Sequence, residues 1–172
     1  MTNILAFDAN LYNLKLQDKG TYIAALAFIV GNIALPQFCH LFGLGHMLLP
    51  IYFFTLIGAY KYGMIVGLLT ALVSPLVNHY FFGMPPAAAL PSIIVKSSLL
   101  AVTASYAAAW SKNVSMLSLL LAVLAYQIVG TLIECLFIAP TFYAGLSDFR
   151  MGIPGMLLQV VGGYFVLRLI KK

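Results

Sequence analysis

The stretch LPSIIVKSSLLAVTASYAAA, residues 90–109, carries a single charge, Lys96, in an otherwise uncharged run. About twenty residues at 1.5 Å of rise each match the hydrocarbon thickness of a bilayer, so the stretch reads as a membrane-crossing helix. A lysine in hydrocarbon needs a partner, a polar cavity or a way to the interface. The candidate partner is Glu134, in the apolar stretch 116–138, where Gln127 and Thr131 precede it by seven and three positions. On a helix those three side chains share a face. Opposite charges on two such helices point to a polar site within a membrane bundle.

The rest of the chain carries the same signal. Of 172 residues, 63% are hydrophobic and 8% charged, more apolar surface than a soluble domain of this size can bury. Six apolar stretches stand out, near 20–36, 46–60, 63–82, 88–110, 115–139 and 151–169. The expected fold is all-α: six transmembrane helices in one compact bundle over residues 20–172, preceded by a cytoplasmic segment, 1–19. The second stretch is short and suits a tilted or partly re-entrant helix. Residues 1–19 are polar and charged, without the basic start and apolar core of a cleaved signal, so the first helix is expected to remain in the mature protein. Their apolar members, Ile4, Leu5, Leu11, Leu14 and Leu16, alternate with polar ones in a way that suits a membrane surface. The two cysteines, Cys39 and Cys135, make no disulfide framework.

If six helices alternate, Lys15, Lys19, Lys61, Lys112, Arg168, Lys171 and Lys172 fall on one side and Arg150 on the other. The positive-inside rule then makes both termini cytoplasmic and turns 37–45, 83–87 and 140–150 outward. No internal repeat supports an inverted-repeat transporter. Small residues at helical spacing, Ala24, Ala27, Gly31 and Ala34, form a groove along the first helix for a neighbour in this chain or in another subunit. Gly63 with Gly67, and Ala101, Ala104 and Ala108, suit close helix packing in the same way.

Polar groups gather toward the outer half of the bundle. Ser74, Pro75, Asn78 and His79 end the third helix, Ser92 and Lys96 begin the fourth, and Gln127, Thr131 and Glu134 end the fifth. Proline there frees a backbone carbonyl, which a cavity tolerates. The economical reading is a pocket open to the outside. Lys96 and Glu134 are either a structural pair that fixes helix register or ligand-binding groups. A Lys96 that meets a ligand carboxylate or phosphate favours anions, with Arg150 as a second attractor; a close Glu134 makes the site neutral. The loop with Cys39, His40, His46 and Met47 holds metal-ligand types at a spacing that matches no dedicated motif, leaving polar anchors or axial ligation of a cobalt or haem group. The aromatic residues Tyr52, Phe53, Phe54, Tyr80, Phe81, Phe82, Phe142 and Tyr143 suit interfacial belts, or stacking on a flat ligand.

Enzyme signatures are missing: no HExxH, GxSxG or GxxxxGK[ST], and few carboxylates for acid and base work. The expectation is a protein that is not an enzyme, with no metal, no resident cofactor and no nucleic-acid partner.

Three blocks carry a family resemblance: HMLLPI at 46–51, GAYKYGMIVG at 58–67, and SPL at 74–76 followed by GMPP at 83–86. They resemble the substrate-binding S components of energy-coupling factor (ECF) vitamin importers, over residues 20–110; the last two helices match by hydropathy alone. The resemblance implies a multi-pass protein of a bacterial cytoplasmic membrane that captures a vitamin or cofactor precursor from outside. Delivery inward would use a transmembrane coupling subunit (EcfT) and two ATPase subunits on separate chains, with membrane lipid around it. On this reading the substrate site comprises His46, Asn78, His79, Lys96, Gln127, Thr131 and Glu134. Ala24, Ala27, Gly31 and Ala34 form the coupling interface, although the family's AxxxA pattern is broken here by Phe28. Lys96 leans toward a pantothenate-like anion and the Cys39, His40 and His46 loop, more weakly, toward a corrinoid or haem. The competing class is a ligand-free membrane scaffold similar to the cell-shape protein MreD; a small channel or solitary transporter is a third.

Overall fold

A computed structural model describes residues 6–7, 10–43, 48–139 and 141–170, the side chains at 147 and 148 excepted. Helix α1 runs Lys19–Leu41, and a single 3-10 turn, Pro50–Tyr52, leads into α2, Phe53–Tyr62. Then come α3 (Met64–Phe82), α4 (Leu90–Ser111) and α5 (Met116–Ile133), the last continued by one π turn, Glu134–Ile138. Helices α6 (Phe142–Met151) and α7 (Ile153–Leu169) close the chain. Two short strands, β1 (Ala6–Phe7) and β2 (Val114–Ser115), pair antiparallel with Ala6 opposite Ser115.

Among the described residues, four helices are long and apolar enough to cross a membrane: α1, α3, α4 and α5 with its π turn. The pair α6 and α7, bent by 41° at Gly152, makes up to a fifth. The bundle therefore fits a multi-pass membrane protein. The apolar stretch at 46–60 yields only the ten residues of α2, about 15 Å of helix and half a hydrocarbon core. Its surroundings explain why that suffices. α1, α3, α4 and α7 enclose α2, and Leu56, Ile57 and Ala59 are fully buried, so this helix meets protein rather than lipid.

Close packing around α2 uses small residues. A Cβ on Gly67 of α3 would lie 2.5 Å from the Ala59 side chain and 3.0 Å from that of Ala101, which draws α2, α3 and α4 together. The buried start of α2 is held by Asn32 of α1. The Asn32 side-chain Oδ1 accepts from the Phe54 backbone amide (3.0 Å), and its Nδ2 donates to Thr55 Oγ1 (2.9 Å) and Ser74 Oγ (3.2 Å). One side chain thus ties three helices and caps an N-terminus that has no water to turn to.

Residues 10–14 of the N-terminal segment take no regular secondary structure. They strap one end of the bundle: the Tyr12 amide donates to the Lys61 carbonyl (2.8 Å) and that of Leu14 to the Tyr62 carbonyl (3.0 Å). Gly63 makes the strap possible, because its φ of +100° is a glycine conformation and a Cβ there would come 2.9 Å from Asn13 Oδ1. Lys61 is buried beneath the strap with its ammonium 5.3 Å from the Tyr12 ring centroid. Tyr60 fixes the same end from inside, its hydroxyl reaching Ser118 Oγ (2.6 Å) and donating to the Asn113 carbonyl (2.8 Å).

Lys15, Lys19, Lys61, Lys112 and Arg168 lie at or near this strapped end, by the sequence of helix directions. Exposed aromatic side chains mark both ends. Trp110, Tyr106 and Tyr22 stand near the strapped end, and Tyr80, Phe81, Phe137 and Tyr143 at the other, an arrangement suited to two interfaces. Tyr52 and Phe53, expected in such a belt, are core instead, because they open the enclosed α2.

Candidate functional site

The end away from the strap holds a cavity of about 190 Å³, about six times the ~30 Å³ that a water takes up in the liquid. Three sides are protein turns and helix ends. Pro36, Gln37 and His40 of α1 face Leu49, Pro50, Ile51 and Tyr52 before α2; Asn78 of α3 and the turn Met84, Pro85 and Pro86 form the next side; Ala89, Ser92 and Ile93 come from α4. Glu134 and Met151 complete it. Most of this wall is apolar, with a few polar groups converging on it, the usual composition of a small-molecule site.

The charged member of the wall, Glu134, is anchored from behind. Its Oε2 lies 2.6 Å from Lys96 Nζ, and Ser92 Oγ donates to its Oε1 at 2.7 Å. Lys96 is 1% exposed and Glu134 14%, so the ammonium is sealed, with Oε2 buried against it, while Glu134 borders the cavity. Gly130 makes this approach possible: a Cβ there would come within 2.7 Å of Lys96 Cγ, so the lysine stem lies directly on the α5 backbone. Glu134 also opens the π turn, where the Ala139 amide donates to the Glu134 carbonyl at 2.7 Å. Such turns break the regular helix ladder and recur at functional sites.

Asn78 lines the cavity but its amide is committed to structure, donating to the carbonyls of Asn32 (2.9 Å) and Ser74 (3.0 Å). Its Oδ1 accepts from Gln37 Nε2 at 3.2 Å. Gln37 is a wall residue that the sequence reading did not place in the site and for which it had no signal; Ser92, one helical turn from Lys96, belongs to the polar cluster around the expected pocket but not to the expected substrate-binding residues. Gln127 and Thr131 lie on α5 inward of Glu134, behind the wall. Both amide atoms of Gln127, Thr131 Oγ1 and Gln159 Nε2 of α7 are buried with no hydrogen-bond partner among the described residues. This is the least satisfied part of the core.

His79 is not among the wall residues; it donates from Nδ1 to the Pro85 carbonyl at 2.7 Å, bracing the turn that carries Met84 to Pro86. His46 lies outside the described residues, as does Met47. No cluster of three metal-ligating side chains occurs among the described residues. On α1, Ala27 and Ala34 are exposed and Ala24 half-buried. Gly31 faces inward: a Cβ would meet the Phe54 ring at 2.7 Å. Arg150 is exposed on α6 and is not part of the cavity wall.

No family model, curated protein or solved structure matches this chain.

Proposed function

We propose that the chain is the substrate-binding S component of an ECF-type vitamin importer, with six traverses of a bacterial cytoplasmic membrane and both termini cytoplasmic. The observation that carries the reading is the cavity at the end opposite the cationic strap, floored by the anchored Glu134 carboxylate. With the positive-inside rule, that geometry opens the cavity outward, as capture from outside requires. Four to five apolar helices and a short enclosed α2 are compatible with six traverses. The buried amide and hydroxyl atoms of Gln127, Thr131 and Gln159 that lack a hydrogen-bond partner among the described residues add a polar patch on α5 and α7 to the interior of the bundle.

The choice of this family rests on the resemblance of the sequence blocks at 46–51, 58–67, 74–76 and 83–86. On α1 the exposed Ala27 and Ala34, with the neighbouring Ile23, Val30 and Phe38, provide the face that would meet a coupling subunit. The vitamin or cofactor precursor would be held between that helix's end and α4, and ATP would be hydrolysed on the separate ATPase subunits.

Gentle affinity purification from native membranes tests the reading. Recovery of a transmembrane coupling subunit with its two ATPases supports it. Recovery of cell-wall assembly proteins without them assigns the chain to the scaffold class instead.

A further inference from the structure

We infer that the cavity takes an uncharged organic molecule whose N–H or O–H groups donate to Glu134, and that it rejects free carboxylates. The inference rests on the ligand-binding reading above and names the ligand class of that site.

The electrostatics of the wall decide it. A molecule entering the cavity meets the carboxylate of Glu134 first, because Lys96 stands behind it at 1% exposure. For a ligand carboxylate to reach that ammonium, it must displace Glu134 from the 2.6 Å pair, leaving two negative groups competing for one positive charge. A donor faces no such conflict. Glu134 Oε2 is buried against Lys96, whereas Oε1, which accepts from Ser92, keeps a second lone-pair position, so Glu134 can accept from a ligand through Oε1 without giving up either partner. Among the described residues, no Lys or Arg lines the cavity, and Arg150 stands apart from it. The apolar remainder of the wall, from Pro36 and Pro50 across to Ile93 and Met151, suits the body of the same molecule.

The test uses the purified full chain in lipid nanodiscs and four matched pairs of probes, each differing in a single carboxylate: nicotinate and nicotinamide, pantothenate and panthenol, biotin and biotinamide, lipoate and lipoamide. Titration calorimetry should find saturable binding in at least one pair, with the uncharged member at least tenfold tighter. A carboxylate member that binds as tightly or more tightly overturns the inference while leaving the ligand-binding reading intact. Saturable binding by none of the eight removes both.

Glu134→Gln keeps the shape of the wall but leaves Lys96 as its net charge, so the preference should move at least tenfold toward the carboxylate member. Lys96→Met with Glu134→Gln, which buries no unpaired charge, should bring the two members to within threefold. An unchanged preference in that double variant denies Glu134 its role.

Discussion

Lys96 and Glu134 share one buried charge balance, so their worth shows only when they are separated. Removing either by Lys96→Met or Glu134→Ala leaves the other uncompensated and should lower stability by about 3–5 kcal/mol, read by unfolding in mixed micelles. The double variant Lys96→Met, Glu134→Leu should recover most of that loss; a double loss as large as the sum of the singles would contradict the pairing. Asn32→Leu should cost about 1–3 kcal/mol in the same assay, since Phe54 N at the start of α2 and Thr55 lose a buried partner. The pair was legible in the sequence because a charge in an apolar run has few ways to persist. Asn32 was not, because a polar residue in a helix gives no hint of partners 22 and 42 residues away. For Gly31 the stripe pattern was ambiguous by nature: small residues admit a close neighbour without saying whether it is Phe54 of the same chain or another subunit.

Elements were legible where apolar length decides them, and less so where enclosure does. α1, α3, α4 and α5 follow their hydropathy to within a few residues. α2 departs from it, because a helix wrapped by four others needs neither a full span nor a polar face. The N-terminal strap was not legible, because its partners at Lys61, Tyr62 and Val114 are distant in sequence. Gly63 is the joint between strap and bundle. Gly63→Ala should cost about 1–3 kcal/mol, because φ of +100° with ψ of 172° is a backbone region nearly closed to other residues. An unchanged melting temperature would mean that the strap shifts without loss and does not hold that end. Gly130→Ala should cost about 1–3 kcal/mol by pushing the Lys96 stem off α5.

At the scale of the molecule, the division into a strapped cationic end and a cavity end is what the sequence conveyed best, through the alternation of charge among turns. The lining of the cavity was legible only in part, since turns that are far apart in sequence meet there. The two ends can be assigned to membrane sides by replacing Cys39 and Cys135 with alanine and placing single cysteines at Lys112 or Phe142. In intact cells a membrane-impermeant maleimide should label position 142 and spare 112; the reverse pattern would turn the cavity inward and rule out capture from outside. The central claim, that the cavity beside Glu134 holds a small molecule, is tested most directly by native mass spectrometry of the protein released from nanodiscs, compared with Ala89→Trp, which places an indole in the cavity wall. The account predicts a retained organic molecule on the unaltered chain that the folded variant has lost. The same adduct on both proteins, or none on either, would contradict it.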